Sequence, residues 1–303
     1  MFQKILFATS ATEICDHAAR VAFNLARQCN AQLTVLHVLG VPSRGFGGQT
    51  VMDIKTGEDV EADDDYKAWV LEELKVHYAK QLAEADKTHL ELAVGAPHRE
   101  VLRKIRDDKP DLVVMGNSAG GEDPAIRQNI MAGATLHRVA KASPSPVMVV
   151  ARPAASFWGG VSSIVFVTDF TKASDTAFTY ACQLAQEIDG EIHLFHPVDL
   201  RPPAMDALEG QDTIEQKIRE TRKRIHGRYV AHMEGIADYS IEVWEGIPYV
   251  EIVKFAREKQ ADLIVMAHQT QTGDRDDIQL GRDIEQVLIR SSCPVISVNK
   301  TMK

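Results

Sequence analysis

The sequence predicts an α/β protein built from two tandem, doubly wound parallel sheets of five strands each. Short apolar runs alternate with segments whose apolar residues recur at helical spacing, which is typical of an α/β fold. The second half of the chain also repeats the first, since Gly95 and Asp111 recur as Gly246 and Asp262 at one constant offset. A chain of 303 residues is long for one such unit and comfortable for two.

The repeat fixes the domain organisation that we expect. The hexapeptide that opens one helix, GAPHRE at 95–100, recurs as GIPYVE at 246–251. The apolar strand and loop that follow are also repeated. This duplication predicts a first domain over residues 1–151 and a second over 161–300, joined by a linker at about 152–160.

In the first half, each strand is a short apolar run followed by a turn signal, as in a buried parallel strand. A helix with an alanine-rich inner face follows the first strand, and Pro97 occupies the first position of a later helix. We expect a mobile loop over Gly40–Gly57 and a long helix from about Glu58 to Asp86. The predicted strands are Lys4–Thr9, Leu33–Val38, a strand ending at Gly95, Leu112–Met115 and Val147–Val150.

The second half follows the same plan in the same order. Its long charged helix is expected at about Thr213–Glu234, and its last strand at Val295–Val298. Alternating strands and helices of this kind form right-handed crossovers, so the sheet should be parallel. In an open parallel sheet the ligand site lies at the carboxyl ends of the strands. The predicted strands are Ile164–Thr168, Ile192–Phe195, Ser240–Trp244, a strand starting near Asp262 and Val295–Val298.

Composition and charge exclude several functional classes. The net charge is −9, and both halves are acidic, so neither nucleic acid nor an anionic membrane is an expected partner. No apolar run approaches the roughly 18 residues of a membrane span, and the N-terminus lacks a signal-peptide core. The 4 cysteines form no CxxC pair, which indicates buried thiols in a reducing compartment. We therefore expect a cytoplasmic protein.

A glycine-bearing loop after the fourth strand is typical of an anion pocket. Gly116, Gly120, Gly121 and Gly133 lie between that strand and a helix. Glycine lets backbone N–H groups approach a ligand closely, and the helix directs unpaired N–H groups and its positive dipole end towards it. A phosphate group suits this arrangement, although the same glycines also suit an ordinary surface loop.

Several spaced motifs together resemble the universal stress protein family in its tandem form. They are the strand and turn at the start of each half, the Gly-x-Pro-x-x-Glu helix opening, the Asp-Leu-Val-Val-Met-Gly strand and the Pro-x-Pro-Val ending. The resemblance implies a Rossmann-like, adenine nucleotide alpha hydrolase-like fold. It also implies that Val147–Val150 and Val295–Val298 pair edge to edge in an intramolecular pseudo-dimer, with a further homodimer as an open alternative.

The family includes nucleotide binders and non-binders, so the resemblance alone leaves the ligand open. Binding members carry an Asp after the first strand, a small hydrophobe at the second and a Gly-x-x-Gly loop with a later Gly-Ser/Thr. Here the first half has Ser10 in place of the Asp. The positions that the resemblance assigns to ATP or another adenine nucleotide are Ala8, Ser10, Val38, Met115, Gly116, Ala119, Gly120, Gly133, Ala134 and Thr135.

The second half keeps the carboxylate and loses the loop. Asp169 occupies the Asp position, whereas Ala267 and Thr270 replace two loop glycines and only Gly281 remains, followed by Arg282. The side chains of Ala267 and Thr270 crowd the close approach of backbone N–H groups to a phosphate. The aspartates around this loop also repel a triphosphate. Nucleotide binding at Asp169, Gly281 and Arg282 is therefore less favoured than in the first half.

Neither a catalytic constellation nor a metal site is predicted. The sequence carries no nucleophile elbow, HExxH or Walker A lysine, and no His/Cys pair has zinc-ligand spacing. His37 and His196 occupy equivalent places at the second strand of each half, where a structural role is expected. The resemblance implies a stress-response protein whose first domain binds or senses an adenine nucleotide with little turnover. Two alternatives remain: an interaction module with no cofactor, whose pockets are filled by its own side chains, and a weak ATPase.

Overall fold

The chain divides into two units, Met1–Val150 and Ala151–Lys303, and each has the predicted α/β architecture. The computed structural model describes residues 2–41, 50–52, 59–117, 134–152, 161–199, 210–268 and 280–299. In both units a parallel sheet forms the centre. Most of its strands are almost wholly buried because helices cover both faces, whereas the strands at Thr88–Gly95 and Tyr239–Gly246 are mostly half-buried.

The sheet of the first unit has the order β7-β6-β1-β2-β5, and all its pairings are parallel. From β1 the chain adds β2 and then β5 on one side of the sheet. It then crosses to the other side of β1, where it adds β6 and β7. This order places a topological switch between β1 and β6. The strands are β1 (Lys4–Thr9), β2 (Gln32–Gly40), β5 (Thr88–Gly95), β6 (Leu112–Gly116) and β7 (Val147–Val150).

Helices cover both faces of this sheet. The first helix buries small residues such as Ala18 and Ala22, which lets its backbone lie close to β1 and β6. The fourth and fifth helices pack against each other. The helices are α1 (Asp16–Gln28), α2 (Asp64–His77), α3 (Ala79–Leu82), α4 (Pro97–Asp108) and α5 (Ala134–Ala142).

The second unit repeats this arrangement with the order β10-β9-β8-β11-β12. Its long helix ends at Tyr229 and continues as a 3-10 turn at Val230–His232, close to the predicted end. The strands are β8 (Ser163–Val167), β9 (Glu191–Asp199), β10 (Tyr239–Gly246), β11 (Leu263–His268) and β12 (Val295–Asn299). The helices are α6 (Lys172–Ile188), α7 (Gln211–Tyr229), α8 (Pro248–Glu258) and α9 (Arg282–Arg290).

The segment between β2 and α2 differs from the prediction. A two-stranded antiparallel ribbon pairs β3 (Thr50–Met52) with β4 (Asp59–Glu61) where a loop and a helix start were expected. The helix begins only at Asp64, because the Asp63 carboxylate accepts a hydrogen bond from the Tyr66 N–H at 2.7 Å and caps it. The rest of the predicted loop, 42–49 and 53–58, lies outside the described residues.

The Gly-x-Pro-x-x-Glu motif has a steric explanation. Gly95 and Gly246 have φ values of +152° and +144°, which side-chain-bearing residues rarely adopt. A Cβ added to Gly95 would lie 3.0 Å from the Cγ of Glu100, and one added to Gly246 would lie 2.8 Å from the Cγ of Glu251. The glycine thus gives the glutamate in the next helix room to fold back over the end of the strand.

Candidate functional site

The predicted nucleotide positions of the first unit lie at the carboxyl edge of its sheet. Ala8 pairs with Met115 in the β1–β6 register, and Ser10 follows β1 directly. Val38 lies near the end of β2, and Gly116 ends β6. β1 and β6 flank the topological switch, the place where an open α/β sheet binds its ligand, and Val38 lies one strand further along, in β2.

The helix that follows the glycine loop begins at Ala134. Ala134 is exposed and Thr135 is half-buried, and the first turn of α5 carries no acidic residue. A helix N-terminus without a carboxylate keeps its positive potential for an external anion. Ala119, Gly120 and Gly133 lie outside the described residues.

Ser10 and Asp169 occupy equivalent positions and have different surroundings. The Ser10 hydroxyl lies 2.9 Å from Thr12 Oγ1 and 3.1 Å from Cys15 Sγ. The Asp169 Oδ1 accepts hydrogen bonds from the Thr171 N–H at 2.9 Å and the Thr171 hydroxyl at 2.7 Å, and also from the Ser174 hydroxyl. The start of α6 therefore already uses one oxygen of this carboxylate.

The corresponding helix start of the second unit is acidic. Gly281 has φ +87° and precedes α9, whose first turn contains Asp283 and Glu285. Arg282 is exposed. Two carboxylates beside the helix N-terminus neutralise the potential that would attract a phosphate. Ala267 ends up in β11, opposite Val298 of β12, while Thr270 lies outside the described residues.

A buried polar network supports the carboxyl end of the first strand in each unit. Thr9 Oγ1 lies 2.7 Å from the Tyr78 hydroxyl, and Thr168 Oγ1 lies 2.6 Å from the Tyr229 hydroxyl. The Nδ1 atoms of the histidines in β2 and β9, His37 and His196, donate to the carbonyls of these threonines at 3.0 Å and 2.7 Å. The predicted structural role of the two histidines is confirmed.

The same threonines hold the turn that follows each strand. The N–H of Ala11 donates to Thr9 Oγ1 at 2.9 Å, and the N–H of Phe170 donates to Thr168 Oγ1 at 3.0 Å. Ala11 and Phe170 both lie in the left-handed region, with φ values of 55° and 60°. The network thus fixes a strained turn directly beside Ser10 and Asp169. Sequence reasoning missed Tyr78 and Tyr229, although both are tyrosines at the 151-residue offset of the repeat.

We expect the protein to lose stability as the pH falls below about 6.5, the pKa of an unperturbed histidine. Burial lowers the pKa values of His37 and His196, and the carbonyl hydrogen bonds offset this only in part. As the pH falls below about 6.5, the unfolded chain takes up these protons first. The stability that the neutral imidazoles contribute above that pH is therefore lost as the pH falls through the folded-state pKa values.

Urea unfolding at a series of pH values measures this loss. A His37→Gln/His196→Gln double variant should show a smaller decrease in unfolding free energy over the same range. An unchanged pH dependence in that variant would assign the acid sensitivity to other groups.

Comparison with known proteins places this architecture in a family. The sequence model described as the Universal stress protein family matches residues 1–151 and again 160–299. The chain belongs to the universal stress protein family. The double match also confirms the tandem organisation of the family domains, and the parallel sheets confirm the predicted fold class.

Three relatives illustrate the range of similarity. A universal stress protein of Methanocaldococcus jannaschii is 34% identical over 145 residues, which span 46% of this chain and 83% of the relative. A universal stress protein from Archaeoglobus fulgidus aligns over 98% of both chains with TM-score 0.68 and 19% identity. A functionally unknown protein from Pseudomonas aeruginosa PAO1 aligns over 99% of this chain and 93% of its own, with TM-score 0.62 and 15% identity. The last two likenesses concern the fold alone.

Two other kinds of feature, a membrane span and a metal site, are not found among the described residues. None of the described helices is long and apolar enough to cross a membrane. No group of three or more His, Cys, Asp and Glu side chains among the described residues is arranged to hold a metal ion.

Proposed function

We propose that the first domain of this universal stress protein binds an adenine nucleotide such as ATP and turns it over little or not at all. The observation that carries this proposal is the switch between β1 and β6, where Ser10 and Gly116 lie at the same sheet edge. The ribose side of the ligand would lie towards Ser10 and the phosphates towards the N-terminus of α5. Within the part of the chain that the structure describes, the first turn of that helix carries no carboxylate, so its positive end can attract a phosphate.

The second domain provides the contrast that supports this assignment. Its equivalent helix start carries Asp283 and Glu285, and Asp169 is engaged by the first turn of α6. The two carboxylates of α9 repel a phosphate. The hydrogen bonds that Asp169 already accepts compete with those that a nucleotide would donate to it. We therefore assign the second domain a supporting or protein-binding role.

The described side chains at the proposed site favour low turnover. The described residues that we place there are Ala8, Ser10, Val38, Met115, Gly116, Ala134 and Thr135, and none is a carboxylate, histidine or lysine. They supply no general base, and only the neutral hydroxyls of Ser10 and Thr135 could contact a divalent cation. Sensing of nucleotide concentration in a stress response agrees better with this composition than hydrolysis does.

The test begins with protein purified without added nucleotide. Heat denaturation followed by chromatography should release an adenine nucleotide, and calorimetry on the emptied protein should show binding of ATP. Ala134→Glu, which gives α5 the acidic start of α9, should weaken ATP binding at least tenfold, whereas Ala134→Gln should have little effect. Ser10→Asp should strengthen binding severalfold, since charge-assisted hydrogen bonds are about twice as strong as neutral ones.

A protein that carries no nucleotide and shows no heat with ATP would contradict the proposal. The interaction module with filled pockets would then be the better description of both domains. Phosphate release that is lost in Ala134→Glu would instead favour a weak ATPase.

A further inference from the structure

The first domain contains a second cavity beside the proposed nucleotide site. It has a volume of about 200 Å³ and lies between the strand ends and α2, lined by Ser10, Ala11, His37, Trp69, Glu73 and His77, among others. His37 and Leu39 line it, so the alternation of side chains along β2 directs Val38 to the opposite face. The cavity is thus distinct from the nucleotide crevice, although it shares Ser10 with it.

The second domain fills the equivalent space with one of its own rings. Phe170 occupies the turn position that Ala11 has in the first domain, with nearly the same φ. Its ring centroid lies 4.7 Å from that of His196, the counterpart of His37, and 6.4 Å from that of Tyr229, to which it is stacked. A phenyl ring therefore fits this part of the fold, and the described residues of the first domain leave its place open.

The charge at this place is reversed between the two domains. The Cζ of Arg224 lies 4.1 Å from the centroid of the Phe170 ring. Arg224 precedes Tyr229 by the same number of residues by which Glu73 precedes Tyr78. The cation that covers the ring in the second domain thus has a carboxylate as its counterpart in the first, and Glu73 lines the cavity.

We propose that this cavity binds an aromatic cation, a small ligand with one planar ring and an ammonium or amidinium group. The ring would take the place of the Phe170 ring, against His37, and the cation would lie beside Glu73 and the exposed indole of Trp69. A carboxylate and an aromatic face both favour a cation. The volume is below the roughly 300–1,000 Å³ of drug-sized sites, which limits the ligand to a single ring.

Three probes of the same shape and different charge test the proposal: 2-phenylethylamine, 2-phenylethanol and 3-phenylpropanoate. Titration followed by calorimetry and by tryptophan fluorescence, with Trp69→Phe to assign the signal, should show at least a tenfold preference for the amine. Glu73→Gln should reduce this preference to less than threefold. Equal binding of the three probes by the wild type would overturn the proposal.

Substitutions exchanged between the domains provide the matched controls. Ala11→Phe should abolish binding of the amine without unfolding the domain, because Phe170 adopts the same backbone conformation. Phe170→Ala should open the second cavity, and with Arg224 there it should prefer 3-phenylpropanoate. Undiminished amine binding in Ala11→Phe would show that the probe binds elsewhere and would overturn the assignment.

The chain itself could supply a competing occupant, since residues 42–49 contain Arg44 and Phe46. Phe46→Ala should leave the affinity for the amine unchanged. Amine binding that appears only in this variant would assign the cavity to the protein's own side chains and contradict the proposal. None of these outcomes depends on ATP, so the cavity and the nucleotide site can fail independently.

Discussion

Replacing Tyr78 with alanine should destabilise the first domain by about 3–5 kcal/mol, the range measured for deleting large buried side chains. Tyr78 is 0% exposed, and its ring packs against Phe7 and Phe23 with centroid distances of 6.1 Å and 5.9 Å. The substitution would leave a cavity behind the strand end and would remove the hydrogen bond to Thr9. Urea unfolding monitored by circular dichroism measures the loss.

Two further variants separate ring packing from hydrogen bonding. Tyr78→Phe keeps the ring and removes the hydroxyl, and we expect it to cost about 1 kcal/mol. Tyr229→Ala is the matched change in the second domain, where Phe166 and Phe178 lie against the ring, and a similar loss is expected there. A Tyr78→Ala variant as stable as Tyr78→Phe would show that the ring contributes little.

The strands could be predicted because parallel strands covered on both faces are continuous apolar runs. β1 begins and ends at the predicted residues, and β6 and β7 lie within one residue of their predicted ends. The repeat supported the strands and helices of the second half, since each element in one half predicts its counterpart in the other. Family resemblance then placed the candidate nucleotide positions at one sheet edge, although their use in binding remains a prediction.

The segment before α2 could not be predicted from its residues. Six acidic side chains between Glu58 and Asp65 suit a helix start at several positions, and only the capping contact of Asp63 selects one. Trp69 is 48% exposed, whereas Val70 and Leu74 of the same helix are buried. Helix α2 has no strongly apolar stripe, so its sequence does not predict which face turns towards the sheet. The ring contacts of Tyr78 at its C-terminal end fix that face.

Compensating substitutions also conceal the core from sequence comparison. The phenylalanine that packs on the buried tyrosine is Phe23 in α1 but Phe178 in α6, one helical turn away in the aligned repeat. Ala19 and Cys182 occupy the vacated positions, so the total side-chain volume is nearly conserved. Such exchanges preserve the packing around the tyrosine, but the residues at matching positions of the two halves are no longer the same. A comparison of the two halves therefore does not reveal the shared core.

The largest effect outside the aromatic core is expected at Asp262. Its Oδ2 accepts hydrogen bonds from the N–H groups of Ser162 and Ser163 at 2.8 Å and 3.0 Å and from the Ser162 hydroxyl at 3.0 Å. The side chain thus joins the start of β11 to the start of β8. Asp262→Ala should cost about 3 kcal/mol, because it leaves N–H groups of a buried strand start without their charged acceptor.

Asp111 provides the matched comparison in the first domain. It accepts from the N–H groups of Gln3 and Lys4 at 2.7 Å and 2.8 Å, but it is exposed, whereas Asp262 is buried. Water can replace the carboxylate at the exposed site, so Asp111→Ala should cost about half as much as Asp262→Ala. Asp262→Asn keeps an acceptor oxygen. Its loss of unfolding free energy, measured by urea unfolding, should lie between those of Asp111→Ala and Asp262→Ala. Equal losses at both aspartates would show that the strand contacts, rather than their burial, determine the effect.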